Sequence, residues 1–132
     1  MGQPAAKQGD KITANDLHFV MVPVPLGQVP VLLMHPFNGI INGGTSANVK
    51  IMGMPAATVG STAVNTPAHI PLAPGVSFQI PPSNQATIQF GSPTVKINGK
   101  PAARTNDTAM TCNDPAPLPL GIVVAAGTVR IG

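Results

Sequence analysis

A phrase of thirteen residues occurs twice without a gap. It runs as Ser46-Ala47-Asn48-Val49-Lys50-Ile51-Met52-Gly53-Met54-Pro55-Ala56-Ala57-Thr58 and again as Ser92-Pro93-Thr94-Val95-Lys96-Ile97-Asn98-Gly99-Lys100-Pro101-Ala102-Ala103-Arg104. A third copy is divided between the two ends: Thr128-Val129-Arg130-Ile131-Gly132 supply its strand, and Gly2-Gln3-Pro4-Ala5-Ala6-Lys7 supply its second half. A chain that completes a repeat by joining its tail to its head is expected to close into a ring.

The local chemistry of the phrase predicts strand, tight turn, strand. Val95-Lys96-Ile97 alternates apolar and basic residues with period two, so Val95 and Ile97 share one face and Lys96 takes the other. Asn98-Gly99 then offers two residues that enter positive φ cheaply, as a two-residue hairpin turn demands. Five residues past each proline stands Gly9, Gly60 or Asn106, again types that tolerate positive φ, succeeded by Asp10, Ser61 or Asp107, whose side chains can accept from nearby backbone amides. Lys50, Lys96 and Arg130 occupy one place in the three copies and read as the solvated face of three strands, or as a ring of cations.

The repeats divide the chain into three segments of about 51, 46 and 35 residues, too irregular and too few for an open stack. A single domain over 1–132 is expected, closed and three-sided. The first two segments share their openings: Gly2 to His18 lies over Gly53 to His69 at a constant offset of 51 positions. Sixteen prolines and fourteen glycines exclude any long helix, and with no Trp, no Tyr and four Phe the core must be built from Val, Ile, Leu, Met and Ala. Disorder is the poorer reading, because only 8% of the residues are charged and the mean hydropathy is positive. The apolar run Phe19 to Met34 carries Pro23, Pro25 and Pro30; it is too short for a membrane helix and suits an extended edge or a polyproline-like segment rather than a fully paired central strand.

A net charge of +3 without any basic run gives nucleic acid little to bind. One cysteine excludes an intramolecular disulfide, and no apolar leader precedes Lys7, Asp10 and Lys11, so a secretory signal is not expected. No nucleophile elbow or phosphate-binding glycine loop occurs, and the carboxylates Asp10, Asp16, Asp107 and Asp114 stand in turn contexts where capping of backbone amides is expected. An enzyme is therefore not expected. His18, His35, His69 and Cys112 each come after a turn or extended stretch between phrases. If those stretches converge at one end of a three-sided body, the four would form a closed tetrahedral site, with zinc the first choice. Spacing alone leaves the blander alternative open, hydrogen-bonded histidines and a small buried thiol, because no close ligand pair occurs.

From Thr94 to Arg104 the phrase resembles the PAAR-repeat proteins, the sharpened tips of type VI secretion systems and related contractile injection machines. Pro55-Ala56-Ala57-Thr58 and Pro4-Ala5-Ala6-Lys7 repeat the signature in phase. The resemblance implies a small all-β cone of pseudo-threefold symmetry whose broad base caps a trimeric VgrG-like spike, one chain per trimer, and which can help to carry effector proteins. It implies one structural zinc ion near the apex, held by three histidines and one cysteine, a role that falls on His18, His35, His69 and Cys112. It further implies assembly in the cytoplasm at the tip of the apparatus, delivery out of the cell without a signal peptide, and transient contact with a target membrane. The chain departs from the pattern in having the final Arg only once and in its long proline-rich segments, and no effector extension is expected after Gly132. Two other readings fit the same residues: a small zinc-dependent hydrolase with the ion on three of these ligands, and an effector adaptor.

Overall fold

The computed structural model describes residues 2–132, and among them there is no helix. The first segment contributes β1 (Gln3–Pro4), β2 (Lys11–Val24), β3 (Gly27–Gly43) and β4 (Lys50–Ile51). The second contributes β5 (Met54–Pro55), β6 (Thr62–Asn65), β7 (Ser77–Phe78), β8 (Gln85–Ile88) and β9 (Lys96–Ile97). From the third come β10 (Lys100–Pro101), β11 (Thr108–Thr111), β12 (Leu118–Val124) and β13 (Arg130–Ile131). Six of these strands form a closed antiparallel circuit, β2-β3-β6-β8-β11-β12 and back to β2, so each segment supplies one pair of wall strands. The fold is all-β, and a ring.

Each phrase forms the same small hairpin. Lys50 pairs with Pro55, Lys96 with Pro101, and Arg130 with Pro4, so the two ends of the chain complete the third hairpin between them. The turns are Met52-Gly53 and Asn98-Gly99, with φ of 51° and 84° in the first and 55° and 81° in the second, the left-handed pair that matches strand twist. Ile51, Ile97 and Ile131 point inward with Ala5, Ala56 and Ala102 to form one small core, against which Val49 and Val95 pack. Lys50, Lys96 and Arg130 on the other face are exposed.

The next alanine of each copy faces the opposite way, as extended backbone requires. Ala6, Ala57 and Ala103 belong to a second, larger core with Ile12, Phe37, Ile41, Ile88 and Val123. These three alanines bond to each other in a cycle: the amide of Ala6 donates to the carbonyl of Ala103 at 2.9 Å, that of Ala57 to Ala6 at 3.0 Å, and that of Ala103 to Ala57 at 3.0 Å. Two more sets of three repeat the pattern, Gln8 to Pro55, Val59 to Pro101 and Thr105 to Pro4, then Gly9 to Ile41, Gly60 to Ile88 and Asn106 to Val123. The Pro-Ala-Ala run thus lies between two cores at a place where three backbones meet, which leaves room for nothing larger than a methyl group.

The positive-φ positions fall as the repeat predicts, at Gly9 (95°), Gly60 (94°) and Asn106 (72°). Behind them Asp10, Ser61 and Asp107 accept from the amides of Lys7, Thr58 and Arg104 at 3.0, 2.9 and 2.7 Å. Asp107 also takes the Arg104 guanidinium at 2.8 Å. Asp107→Ala removes a buried acceptor of both groups and is expected to cost about 2 kcal/mol by urea denaturation, with Asp107→Asn costing less because one acceptor remains.

Of the two forms expected of the apolar run, an extended edge or a polyproline-like segment, the structure shows extended strand. Lys11–Val24 and Gly27–Gly43 form one long hairpin about a Pro25-Leu26 turn, paired from Lys11 with Ile40 to Val24 with Gly27. Its prolines are tolerated because of their register. Pro23 lies opposite Gln28, Pro30 opposite Met21, and Pro36 opposite Asn15, so all three fall in the same alternate class of cross-strand pair. Residues of that class turn their backbone outward: Met21 and Phe19 accept from Val76 and Gln79 outside the hairpin, and the Asn38 amide donates outward to Asn65. No proline therefore removes a donor from the hairpin's own ladder.

Candidate metal centre

Along β2 the even-numbered side chains face the interior, so Ile12, Ala14, Asp16, His18 and Val20 climb one wall. On β3 the odd-numbered ones do the same, and register sets His35 directly opposite Asp16. His69 arrives from the loop between β6 and β7, where its amide is held by Asn84 Oδ1 at 2.7 Å. Cys112 stands immediately after β11, and the two residues beyond it fasten that strand end to β2. Asn113 Oδ1 accepts from the Leu17 amide at 2.6 Å, Asp114 Oδ2 from the Phe19 amide at 2.9 Å, and the Asp114 amide donates back to Leu17 at 2.8 Å.

These elements converge on one buried cluster. Donor atoms of Asp16, His18, His69 and Cys112 all lie within 4.8 Å of one another. Asp16 Oδ2 is 3.0 Å from His69 Nε2 and 3.3 Å from Cys112 Sγ, while Cys112 Sγ is 3.7 Å from His18 Nε2. The His35 ring packs beside them, its centroid 5.5 Å from His18 and 5.7 Å from His69, compared with 4.9 Å between His18 and His69. Its Nδ1 is 3.0 Å from the Leu33 carbonyl, and its Nε2 receives the Leu72 amide at 3.4 Å. Of the four donors expected from the sequence, the structure brings His18, His69 and Cys112 into the tight group and sets His35 at its side. Asp16 joins the group without having been expected there. Phe78 covers the cluster, with its ring 5.7 Å from His18 and 5.4 Å from His35.

Asp16, His18 and His35 are essentially inaccessible to solvent. Burial, the largest influence on each, lowers the pKa of His18 and of His35 and so favours the neutral imidazole, the form that binds metal. Burial, reinforced by the neighbouring Asp16 carboxylate, pushes the Cys112 thiol up to about 11. Such a thiol is a poor nucleophile and becomes a thiolate here only when a cation takes its proton's place. At the cluster two buried polar atoms, Asp16 Oδ1 and His18 Nδ1, have no hydrogen-bond partner among the described residues. The nearest anion to His18 Nδ1 is Asp114 Oδ2 at 3.6 Å, beyond hydrogen-bond distance. Two nitrogens, a sulfur and a carboxylate oxygen form a donor set that zinc accepts, and the unpaired carboxylate oxygen is what a cation site leaves when only protein atoms are counted.

The sequence pattern described as PAAR motif matches residues 35–115, more than half of the chain. The chain belongs to the PAAR-motif family. No curated protein matches it. The PAAR match takes in both complete phrases with His35, His69 and Cys112, whereas Asp16, His18 and the third Pro-Ala-Ala precede it. Pro4-Ala5-Ala6 nevertheless occupies the same place in the ring as the two matched PAAR copies, through the Pro4 pairing with Arg130 and the cyclic bonds of Ala6. Membership points to a spike-tip protein of a contractile injection apparatus.

Proposed function

We propose that this PAAR protein is the piercing tip of a contractile injection apparatus and caps its trimeric VgrG-like spike, one chain per trimer. The single observation that carries the reading is the cycle of backbone bonds through Ala6, Ala57 and Ala103, repeated in the flanking sets. One polypeptide thereby offers three similar surfaces, which is what a single cap needs in order to meet the three equivalent ends of a trimer. The phrase-bearing end, with its turns at Met52-Gly53 and Asn98-Gly99, is the face given to the spike. The opposite end carries the histidine cluster and, beyond it, the β2/β3 hairpin, on which no charged side chain occurs from Phe19 to Met34 and Leu26 is fully exposed. An uncharged leading edge suits brief contact with a target membrane.

Near that end, zinc is held by His18, His69, Cys112 and a fourth donor, the place the family resemblance gives to His35. Zinc there supplies a structural crosslink between β2, the loop after β6 and the end of β11. Mixing the chain with the trimeric spike of its own apparatus should give a complex of one chain to three spike subunits by native mass spectrometry. Three chains per trimer, or no complex, would remove the capping role. Effector carriage is tested by whether an effector co-purifies with that complex and not with the spike alone.

A further inference from the structure

We infer that Asp16, rather than His35, is the fourth ligand of the zinc site, so that the ion is held by one carboxylate, two imidazoles and one thiolate. The inference rests on the zinc reading above and concerns which atoms of this chain do the holding. Asp16 is completely buried, and its ion-pair partner among the described residues is His69; Lys7 and Arg104 are committed to Asp10 and Asp107. A buried carboxylate in such surroundings requires a positive charge. A divalent cation beside Asp16 and the Cys112 thiolate supplies that charge, and it does so equally whether Asp16 ligates the ion or stands next to it, so the choice between Asp16 and His35 rests on geometry.

Geometry separates Asp16 from an outer-shell role. A carboxylate that merely orients a ligating histidine bonds that ring's far nitrogen and stands away from the other donors. Asp16 Oδ2 instead touches two donors at once, His69 Nε2 at 3.0 Å and Cys112 Sγ at 3.3 Å, and its second oxygen has no partner at all. The carboxylate nearest the other His18 nitrogen is Asp114, 3.6 Å from Nδ1 and beyond hydrogen-bond distance. His35 has both nitrogens engaged by backbone, one on the Leu33 carbonyl and one on the Leu72 amide, and is suited to wall the site and hold the loop at Leu72.

Zinc competition against a chromophoric chelator, on the full-length chain, separates the possibilities. Asp16→Asn is expected to weaken zinc binding by more than about 100-fold, beyond the 10–100-fold typical of outer-shell partners, and His35→Gln by less than about 10-fold. Extended X-ray absorption at the zinc edge of the unsubstituted protein is expected to show two imidazoles, one sulfur and one further light-atom donor, a result that does not depend on any variant folding. Three imidazoles at the metal, or a loss below about 100-fold for Asp16→Asn, would overturn the assignment and leave the zinc reading intact. Failure of the unsubstituted chain to bind zinc would overturn both.

Discussion

Ala57→Leu is expected to destabilise the chain by about 3 kcal/mol, the upper end of what overpacking a core costs. Ala57 is fully buried, its amide donates to Ala6 and its carbonyl accepts from Ala103. A longer side chain cannot be housed by sliding one strand outward, because the same three-residue cycle fixes all three backbones and the two neighbouring sets of bonds fix them again. Leucine at Ala47, exposed in the same phrase, should change stability by less than about 0.5 kcal/mol. Urea denaturation of the two variants is the comparison that matters; equal midpoints would mean that the alanines meet no such crowding. Ala6→Leu and Ala103→Leu should match Ala57→Leu, and pairs of these substitutions should depart from additivity, since the three sites share partners.

How far this architecture was legible depends on the range of the forces involved. The hairpin at Lys96-Ile97, its left-handed Asn98-Gly99 turn, the positive φ of Gly9, Gly60 and Asn106, and the pairing of Gln3 with Ile131 are set by local chemistry repeated three times, so repetition made them readable. The carboxylates divide on the same principle. Asp10 and Asp107 cap amides three residues away, as their turn contexts predict, but Asp16 and Asp114 are buried against histidines supplied by distant parts of the chain. For Asp16 a signal was present: in extended backbone, residues two apart share a face, so Asp16 must accompany His18 to the interior. The proline run was harder, because its regular pairing depends on whether Pro23, Pro30 and Pro36 share a register class, and register is set by the Pro25-Leu26 turn and the whole ladder rather than by any one residue.

Removing zinc should lower the melting temperature by about 10 °C or more, with the loss confined at first to the histidine end. A ligand present at about 1,000 times its dissociation constant stabilises a fold by about 4 kcal/mol, and each kilocalorie moves the midpoint of a domain of this size by about 4 °C. Cys112→Ser should reproduce much of that loss in zinc-containing buffer, because a hydroxyl is a far weaker donor to zinc than a thiolate. The location of the effect is as informative as its size. The loop bearing His69 is held by scattered bonds rather than by a ladder: the His69 amide donates to Asn84, the Leu72 amide to His35, and β7 pairs with β2 at Val20 and Met21. Amide hydrogen exchange after chelation should therefore accelerate in the His69 loop, in β7 and around Asn113 and Asp114, while the amides of Ala6, Ala57 and Ala103 stay protected by their own cycle. Chelation that left the melting temperature unchanged would mean that the cluster stands without an ion. If it exposed the alanine amides first, the ring would depend on the metal end for its closure rather than on its own cycle of backbone bonds.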